Sequence, residues 1–344
     1  MRRYTPLFIT AFVLLLLFAI LSDHLAGYAD RTRREKPLQT LTVYTTLPAE
    51  TADIISSGYE RDRKVRLNFL PISSEALIKK VKNGNAADIV LADQPTLEIM
   101  AGENMLKPYD SESTDAVAPV FKNTESLWTG IWYDPIVFAV NRDFARGIVR
   151  VPNTWQELSY FAGDLRLGIT DFLAADAAKN LFFSMMSQYG DEVTYQLLFR
   201  LHPKVVQYAK YLSTPVRMAG MGETDLSIAV ESETLRYIAQ GYPLQIVYPE
   251  DGTAYTLTGV GILRETAHKQ DAEAFVEWLL SDEAQLALQK KLFFFVPVNP
   301  LTNAYKSFAG KNIVLYGKPQ EFSPEVRHQL LDRWVKEVRL GSVE

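Results

Sequence analysis

Two glutamates lie two positions apart in Glu231-Ser232-Glu233-Thr234, directly after the predicted strand 225–230. Such a pair could act as acid and base in a hydrolytic reaction, or supply oxygen ligands to a hard cation such as ferric iron. The helix dipole also favours acidic residues in the first turn of any helix, so a solvated helix start explains the same pattern. Glu231 and Glu233 are therefore candidate ligand-binding and metal-binding residues.

Paired hydroxyl residues occur at two further places, Thr45-Thr46 and Ser73-Ser74, each between a predicted strand and a predicted helix. The exposed N–H groups and positive end of a helix bind anions, and open α/β sheets bind ligands beyond the carboxyl ends of their strands. Thr170-Asp171 follow a predicted strand in the same way. Hydroxyl residues before helices also serve simply as N-caps. The pattern indicates an anion-binding cleft, with capping as the alternative.

Alternating apolar residues predict the elements that would position these groups. The first unit reads β-α-β-α-β, with strands near 41–44, 65–69 and 87–92 and helices at 48–59 and 75–81. A second α/β unit has strands near 166–170, 225–230 and 244–249 and a helix over 176–188. Near the C-terminus, one amphipathic helix is predicted over 271–290 and another from about Ser323. We expect two lobes, each an open, mostly parallel sheet flanked by helices.

The segment 130–141 is too long for an ordinary strand and contains Asp134-Pro135. A strand that bends there and crosses between lobes would explain it. Tyr133 and Asp134 would then be candidate ligand contacts or only a bend, and 254–263 would lead the chain back. The predicted lobes are 40–135 with 258–344, whose C-terminal helices could also pack on the other lobe, and 136–257.

The N-terminus has a positive start, Met1-Arg2-Arg3, followed by an unbroken apolar run over 7–21. The run is short for a membrane-spanning helix and matches the apolar region of a secretory signal. Residues 1–29 are predicted to be a signal segment, or an uncleaved membrane anchor, and 30–39 a linker. The protein is expected at the periplasmic or extracellular face of the cytoplasmic membrane, with membrane contact only through 7–21 if these residues are retained.

Composition excludes several classes of function. The formal net charge is −5 and no block of Lys and Arg occurs, which argues against nucleic-acid binding. The absence of cysteine excludes a disulfide scaffold and a thiol nucleophile. The four histidines are scattered, and no nucleophile-elbow, P-loop or dinucleotide-binding motif occurs. We expect no enzyme; a hydrolase using Glu231 and Glu233 is the catalytic alternative.

Several segments, in this order along the chain, carry a family resemblance: LTVYTTLPAE, SSEALIKKVKNGNAADIVLAD, GIWYDPIVFAVNRD, PEDGTAYTLTGVGIL and DAEAFVEWLLSDEAQ. Over about residues 40–340 the chain resembles the iron(III)-type extracellular solute-binding proteins of ABC transporters, which have the type II periplasmic-binding-protein fold. The resemblance implies a monomer with two lobes joined by two crossing strands, a ligand between them, and delivery to a membrane permease. It implies no cofactor, although ferric iron is a possible ligand.

The chain differs from that family at the positions of the iron-binding tyrosines. Ferric-binding members carry adjacent tyrosines after the strand that matches LSIAVES, and their positions here are Glu233 and Thr234. The tyrosine pair therefore does not carry over, although Glu231, Glu233 and Thr234 stay candidate ligand residues. The ligand is left open between ferric iron, an iron chelate and a small organic or phosphorylated anion. A membrane-anchored sensor that signals to a receptor is the alternative role.

Overall fold

A computed structural model describes residues 39–61, 63–84, 86–317, 320 and 322–341. The predicted signal segment or anchor and nearly all of the linker lie outside these residues. Among the described residues, no helix has the length and apolar character needed to cross a membrane.

Strands and helices alternate along most of the described chain. The strands are β1 (Gln39–Thr45), β2 (Val65–Pro71), β3 (Ile89–Asp93), β4 (Leu106–Lys107), β5 (Thr129–Asn141), β6 (Leu167–Thr170), β7 (Val205–Ala209), β8 (Leu226–Val230), β9 (Leu244–Val247), β10 (Tyr255–Leu263) and β11 (Val296–Pro297). The α-helices are α1 (Ala49–Glu60), α2 (Ser74–Lys82), α3 (Gln94–Gly102), α4 (Glu112–Ala116), α5 (Arg142–Gly147), α6 (Trp155–Ser159), α7 (Asp176–Tyr189), α8 (Asp191–Leu201), α9 (Ser213–Gly220), α10 (Glu231–Ala239), α11 (Lys269–Leu279), α12 (Asp282–Gln289), α13 (Asn303–Ala309) and α14 (Pro324–Arg333).

The first lobe is built on the parallel strands β2, β1 and β3, followed by β10, which runs antiparallel to β3. The core strand β3 is an apolar run because helices cover both faces of a parallel sheet. Aromatic side chains fill the space under α11: the Tyr59 ring lies 4.9 Å from Phe275 and 5.3 Å from Trp278, edge to face. These packed rings make the first lobe a separate hydrophobic core.

The second lobe has β8, β6 and β7 in parallel, with β5 antiparallel to both β8 and β9. Its core contains Trp155, whose ring meets Phe138 of β5 edge to face at 5.0 Å. Phe172, just after β6, packs at 4.9 Å on Trp334 from the C-terminal region. This second core thus depends on residues far apart in sequence.

One strand, β5, forms hydrogen-bonded pairs in the sheets of both lobes, and all of its residues are buried. Its first half pairs with β10, where Asp134 lies opposite Thr256, and its second half pairs with β8 from Ile136 onward. The change of partner falls at Pro135, which has no N–H to donate to a ladder. Strand β10 pairs only with first-lobe strands and the first half of β5, so it does not cross as a second shared strand. The return crossing is instead at Ala254, whose carbonyl accepts from the Ile136 N–H at 2.9 Å.

The chain passes between the lobes again near its C-terminus. Phe308 of α13 packs in the first core, whereas Tyr316 and Trp334 pack in the second. Between them, the Thr253 N–H donates to Val314 O at 2.9 Å and the Tyr316 N–H donates to Thr253 O at 2.8 Å. The segment 258–344, predicted to belong to lobe 1, is therefore shared between the lobes. Its part up to α13 packs in the first core, and the buried face of α14 packs in the second core, as the prediction allowed.

The helix predicted over 271–290 is two helices, α11 and α12, with a break at Leu280-Ser281. The Ser281 hydroxyl donates to Trp278 O at 2.6 Å, a local bond that competes with helix continuation. The Asp282 carboxylate then accepts the Ala304 N–H at 2.8 Å, so the second helix is turned toward α13. Elements that the sequence analysis missed are the short strands β4, β7 and β11 and the helices α3, α4, α5, α8, α9 and α13.

Candidate functional site

Polar residues form a strip across the centre of the sheet. Asp93 at the end of β3 lies opposite Thr258 of β10, and Thr256 of the same strand lies opposite Asp134 of β5. Directly opposed residues share a face of a sheet, and so do residues two apart on one strand. We call Asp93, Thr258, Thr256 and Asp134 the polar strip. Because neighbouring strands are about 4.8 Å apart, the strip is about 10 Å wide, the size of a small metabolite.

At the Asp93 end, hydroxyl groups of the first lobe gather. Thr96 Oγ1 lies 2.6 Å from Asp93 Oδ1 and 2.8 Å from Ser74 Oγ. A hydroxyl has one proton, so Thr96 serves one of these partners at a time, and the ionised carboxylate is the stronger acceptor. Thr46 Oγ1 accepts from the Asp93 N–H at 3.4 Å. Ser74 and Thr46 thus stand beside Asp93 with hydrogen-bonding capacity left over.

At the other end of the strip, Asp134 binds the start of α10. Its carboxylate accepts the Ser232 N–H at 2.9 Å and the Ser232 hydroxyl at 2.6 Å. Burial raises the pKa of Asp134 to about 7; the two Ser232 bonds act against this, and the charges of Glu231 and Glu233 add to it. At neutral pH this carboxyl group can therefore both accept and donate a proton.

Glu231 is completely buried beside Asp134. Its Oε1 accepts a short hydrogen bond from the Tyr248 hydroxyl and lies 3.1 Å from Lys311 Nζ. Its Oε2 is buried and has no hydrogen-bond partner in the described part of the chain. Burial raises the pKa of Glu231 and outweighs the lowering by Lys311 and Tyr248. A buried carboxylate oxygen without a donor costs free energy, so this atom is suited to receive a donor from another molecule.

Aromatic side chains cluster on the face of β5 and β10 opposite the strip, because Tyr133 and Tyr255 each lie one position from a strip residue. Tyr133 stacks on Phe121 at 5.2 Å and meets Tyr255 edge to face at 5.8 Å. Burial, with a further contribution from Glu231, raises the pKa of Tyr133, so its hydroxyl stays protonated. Asn180 of α7 donates to Tyr255 O at 2.6 Å and ties the second lobe to β10 here. Tyr133 is therefore a neutral aromatic neighbour of Glu231.

The other predicted site residues are largely used by the fold. Thr45 donates to Leu91 O at 2.6 Å, and Thr234 donates to Val230 O at 2.9 Å. The Ser73 hydroxyl accepts the Ala76 N–H at 3.4 Å and caps α2. Thr170 is buried, with its hydroxyl 3.5 Å from Tyr211 O.

Two acidic residues predicted to bind ligand on the second lobe, Asp171 and Glu233, already have ion-pair partners. Asp171 accepts the Leu173 N–H at 2.9 Å and forms an ion pair with Arg339 at 2.8 Å. Glu233 forms a short ion pair with Arg236 one helical turn away. Glu231 and Glu233 thus take different cationic partners, Lys311 and Arg236, rather than sharing one ion. Among the described residues, no group of three or more His, Asp and Glu side chains is arranged to hold a metal ion.

Sequence reasoning missed several groups around the strip: Asp93, Thr96, Ser232, Tyr248, Thr256, Thr258 and Lys311. Asp93 could have been found, because it ends a predicted strand in the same way as Thr45 and Thr170 do. Lys311 carries no local signal, since its partner Glu231 is 80 residues away.

Comparison with known proteins agrees with this architecture. The family model described as bacterial extracellular solute-binding protein matches residues 41–293. A curated but uncharacterized protein of Haemophilus influenzae is 26% identical over 319 residues, covering 88% of this chain and 91% of the relative.

Solved structures share the fold at low identity. The periplasmic binding protein AfuA from Actinobacillus pleuropneumoniae, solved with fructose-6-phosphate bound, has a TM-score of 0.66 at 24% identity, with 88% of this chain and 99% of that chain covered. Iron-bound HitA from Pseudomonas aeruginosa has a TM-score of 0.63 at 18% identity, with 89% and 100% covered. These likenesses confirm the predicted two-lobed α/β fold, and the family is one of binding proteins rather than enzymes. The chain belongs to the bacterial extracellular solute-binding proteins, the binding components of ABC transporters.

Proposed function

We propose that this protein captures a small organic anion rich in hydroxyl groups on the polar strip and delivers it to an ABC permease. The observation that carries the proposal is the buried, unpartnered Oε2 of Glu231, which a ligand hydroxyl would satisfy. The other groups along the strip are also suited to hydroxyls, since Asp93 and Asp134 accept while Thr256 and Thr258 both donate and accept.

The anionic part of the ligand is assigned to the hydroxyl end of the site. Thr46, between β1 and α1, and Ser74, at the start of α2, lie there, away from the acidic end formed by Asp134 and Glu231. An arrangement with donors at one end and carboxylates at the other favours a ligand with an anionic group and a polyol chain. The phosphorylated sugar named for AfuA is a molecule of this chemistry.

Bare ferric iron fits the residues less well. Of the two positions that match the tyrosines of ferric-binding members, Thr234 is fully buried with its hydroxyl on Val230 O, and Glu233 is neutralised by Arg236. A hard trivalent ion needs several free anionic oxygens. We therefore propose an organic ligand rather than ferric iron. We also propose that the binding protein is a monomer, that its N-terminal segment exports or anchors it, and that its partner is a permease.

A thermal-shift screen of the full chain tests this choice. The probes are fructose 6-phosphate, fructose, inorganic phosphate, ferric citrate and a ferric salt. A ligand at about 100 times its dissociation constant adds about 2.7 kcal/mol of stability, which a shift in unfolding temperature reports. We expect the hydroxylated phosphate ester to stabilise more than fructose or phosphate alone. Stabilisation by the ferric salt only would overturn the proposal.

Two matched variants connect the result to the site. Glu231→Gln keeps the size of the side chain but makes it a weaker acceptor, and we expect about tenfold weaker binding of fructose 6-phosphate by calorimetry. Glu233→Gln is the control, because it makes the same change on the same helix at a side chain that has no buried unpartnered oxygen among the described residues. Equal affinity for the two variants would remove Glu231 from the binding site.

A further inference from the structure

Lys311 and Glu231 belong to different lobes. Lys311 comes two residues after α13, which packs on the first lobe through Phe308. Glu231 is the first residue of α10 and directly follows β8 of the second lobe. Their contact at 3.1 Å is therefore a direct ion pair between the lobes.

The lysine is held firmly on the first-lobe side. Its ammonium nitrogen lies 3.9 Å from the centre of the Phe308 ring, a cation–π distance. Helix α13 is in turn bound to α12, because Asp282 accepts the N–H groups of Ala304 and Asn303 at 2.8 and 3.0 Å. The lysine therefore moves with the first lobe.

The glutamate is held on the second-lobe side. Tyr248, just after β9, donates to the same Oε1 that Lys311 approaches. The Glu231 side chain is 0% exposed, whereas that of Lys311 is 29% exposed. The lysine side chain thus reaches from the surface to a carboxylate that would become solvated if the lobes separated.

We propose that Lys311 is a closure and positioning residue: it latches the two lobes together and holds Glu231 with Oε2 directed at the ligand. Removal of one member of a buried pair leaves an uncompensated charge, which favours the open state, where water solvates it. The link to the ligand rests on the proposed function, but the latch itself rests only on the Lys311–Glu231 ion pair.

The experiment uses the absence of cysteine in the sequence. Asp53→Cys on α1 and Gln207→Cys on β7 are exposed positions in different lobes, and spin labels there report the distance between lobes by pulsed electron paramagnetic resonance. In the ligand-free full chain, we expect Lys311→Met to increase the population of the longer distance about tenfold. Lys311→Arg should keep the shorter distance, because it retains the charge.

Lys291→Met is the control, an exposed lysine of the first lobe with no ion pair among the described residues. Identical distance distributions for wild type, Lys311→Met and the control would overturn the latch. Lys311→Gln gives the same two outcomes if the methionine variant does not fold. The latch and the proposed function can be rejected independently. Unchanged spin-label distances would reject the latch, whereas the absence of thermal stabilisation of wild type by fructose 6-phosphate would reject the ligand assignment.

Discussion

Asp134 receives both hydrogen-bond donors of Ser232, the backbone N–H at 2.9 Å and the hydroxyl at 2.6 Å. Asp134 lies on the shared strand β5 and Ser232 in the first turn of α10, so this contact fixes the start of α10 to the strand that connects the lobes. The arrangement stabilises a carboxylate that burial otherwise disfavours.

Asp134 should make the free energy of unfolding depend on pH. Its pKa is raised to about 7 in the folded protein, so the native state holds a proton that the unfolded state releases near pH 4. The contribution is fully present below about pH 4 and is lost as pH rises to about 7, by at most about 4 kcal/mol. Denaturant titrations should therefore show a flatter pH profile for Asp134→Asn. Asp176→Asn, at an exposed position, is the control, and parallel profiles for Asp134→Asn and wild type would contradict the assignment.

Ser232→Ala should destabilise the protein most at high pH. The variant loses the hydroxyl donor to Asp134 but keeps the backbone donor, and a bond to a charged group contributes about 1.5–3 kcal/mol. Above about pH 7, where Asp134 is ionised, the full loss should be seen; near pH 5 it should be smaller. Chemical unfolding at both pH values measures it. Ser307→Ala, which removes an exposed hydroxyl on α13, should show no such pH dependence.

The two adjacent serines should separate stability from binding. Ser73 caps α2, so Ser73→Ala should lower the free energy of unfolding by about 1 kcal/mol and leave affinity unchanged. Ser74 lies beside Thr96 and Asp93, so Ser74→Ala should weaken binding of fructose 6-phosphate about tenfold. Each serine variant is the control for the other. A loss of affinity from Ser73→Ala alone would reverse the assignment.

Trp334 should be essential to the second lobe. Its side chain is fully buried against Phe172 and Tyr208, and its indole N–H has no partner among the described residues, so its contribution is packing. Trp334→Ala should cost about 3–5 kcal/mol of stability by thermal or denaturant unfolding. Leu340→Ala, at a largely exposed position nearby, should be close to neutral. Equal effects of the two substitutions would mean that the C-terminal segment is not part of this core.

Local patterns predicted the strand and helix alternation well, because each element has its own apolar periodicity. The segment 130–141 is an example: its length and its Asp134-Pro135 pair indicated a crossing strand, and β5 does pair on both sides of Pro135. Strand β7 was missed because its residues are mostly half-exposed and do not alternate strictly. The break at Ser281 was missed because the apolar periodicity continues through it, while the contact of Asp282 with α13 that turns the second helix is tertiary.

The site was less predictable than the fold. Glu231 and Asp134 were predicted as ligand residues because they lie at ends or bends of strands, where ligands of α/β folds bind, and they stay predictions. The roles of Ser73 and Ser74 could not be separated, since capping and ligand contact use the same residue types. Lys311 and Tyr248 could not be found, because their relevance comes only from the folded position of Glu231.

The position of β10 has a consequence for the order of folding. Strand β10 lies between β3 and β5, so the first sheet stays open until residues 255–263 have been made. The second core likewise lacks Trp334 until the chain is almost complete. Contacts between residues so far apart in sequence form slowly, because the chain loses the entropy of loop closure before the contacts contribute any stabilising free energy. The nascent chain therefore keeps both lobes incomplete for most of its synthesis, so neither lobe can bind a ligand before the chain is nearly complete.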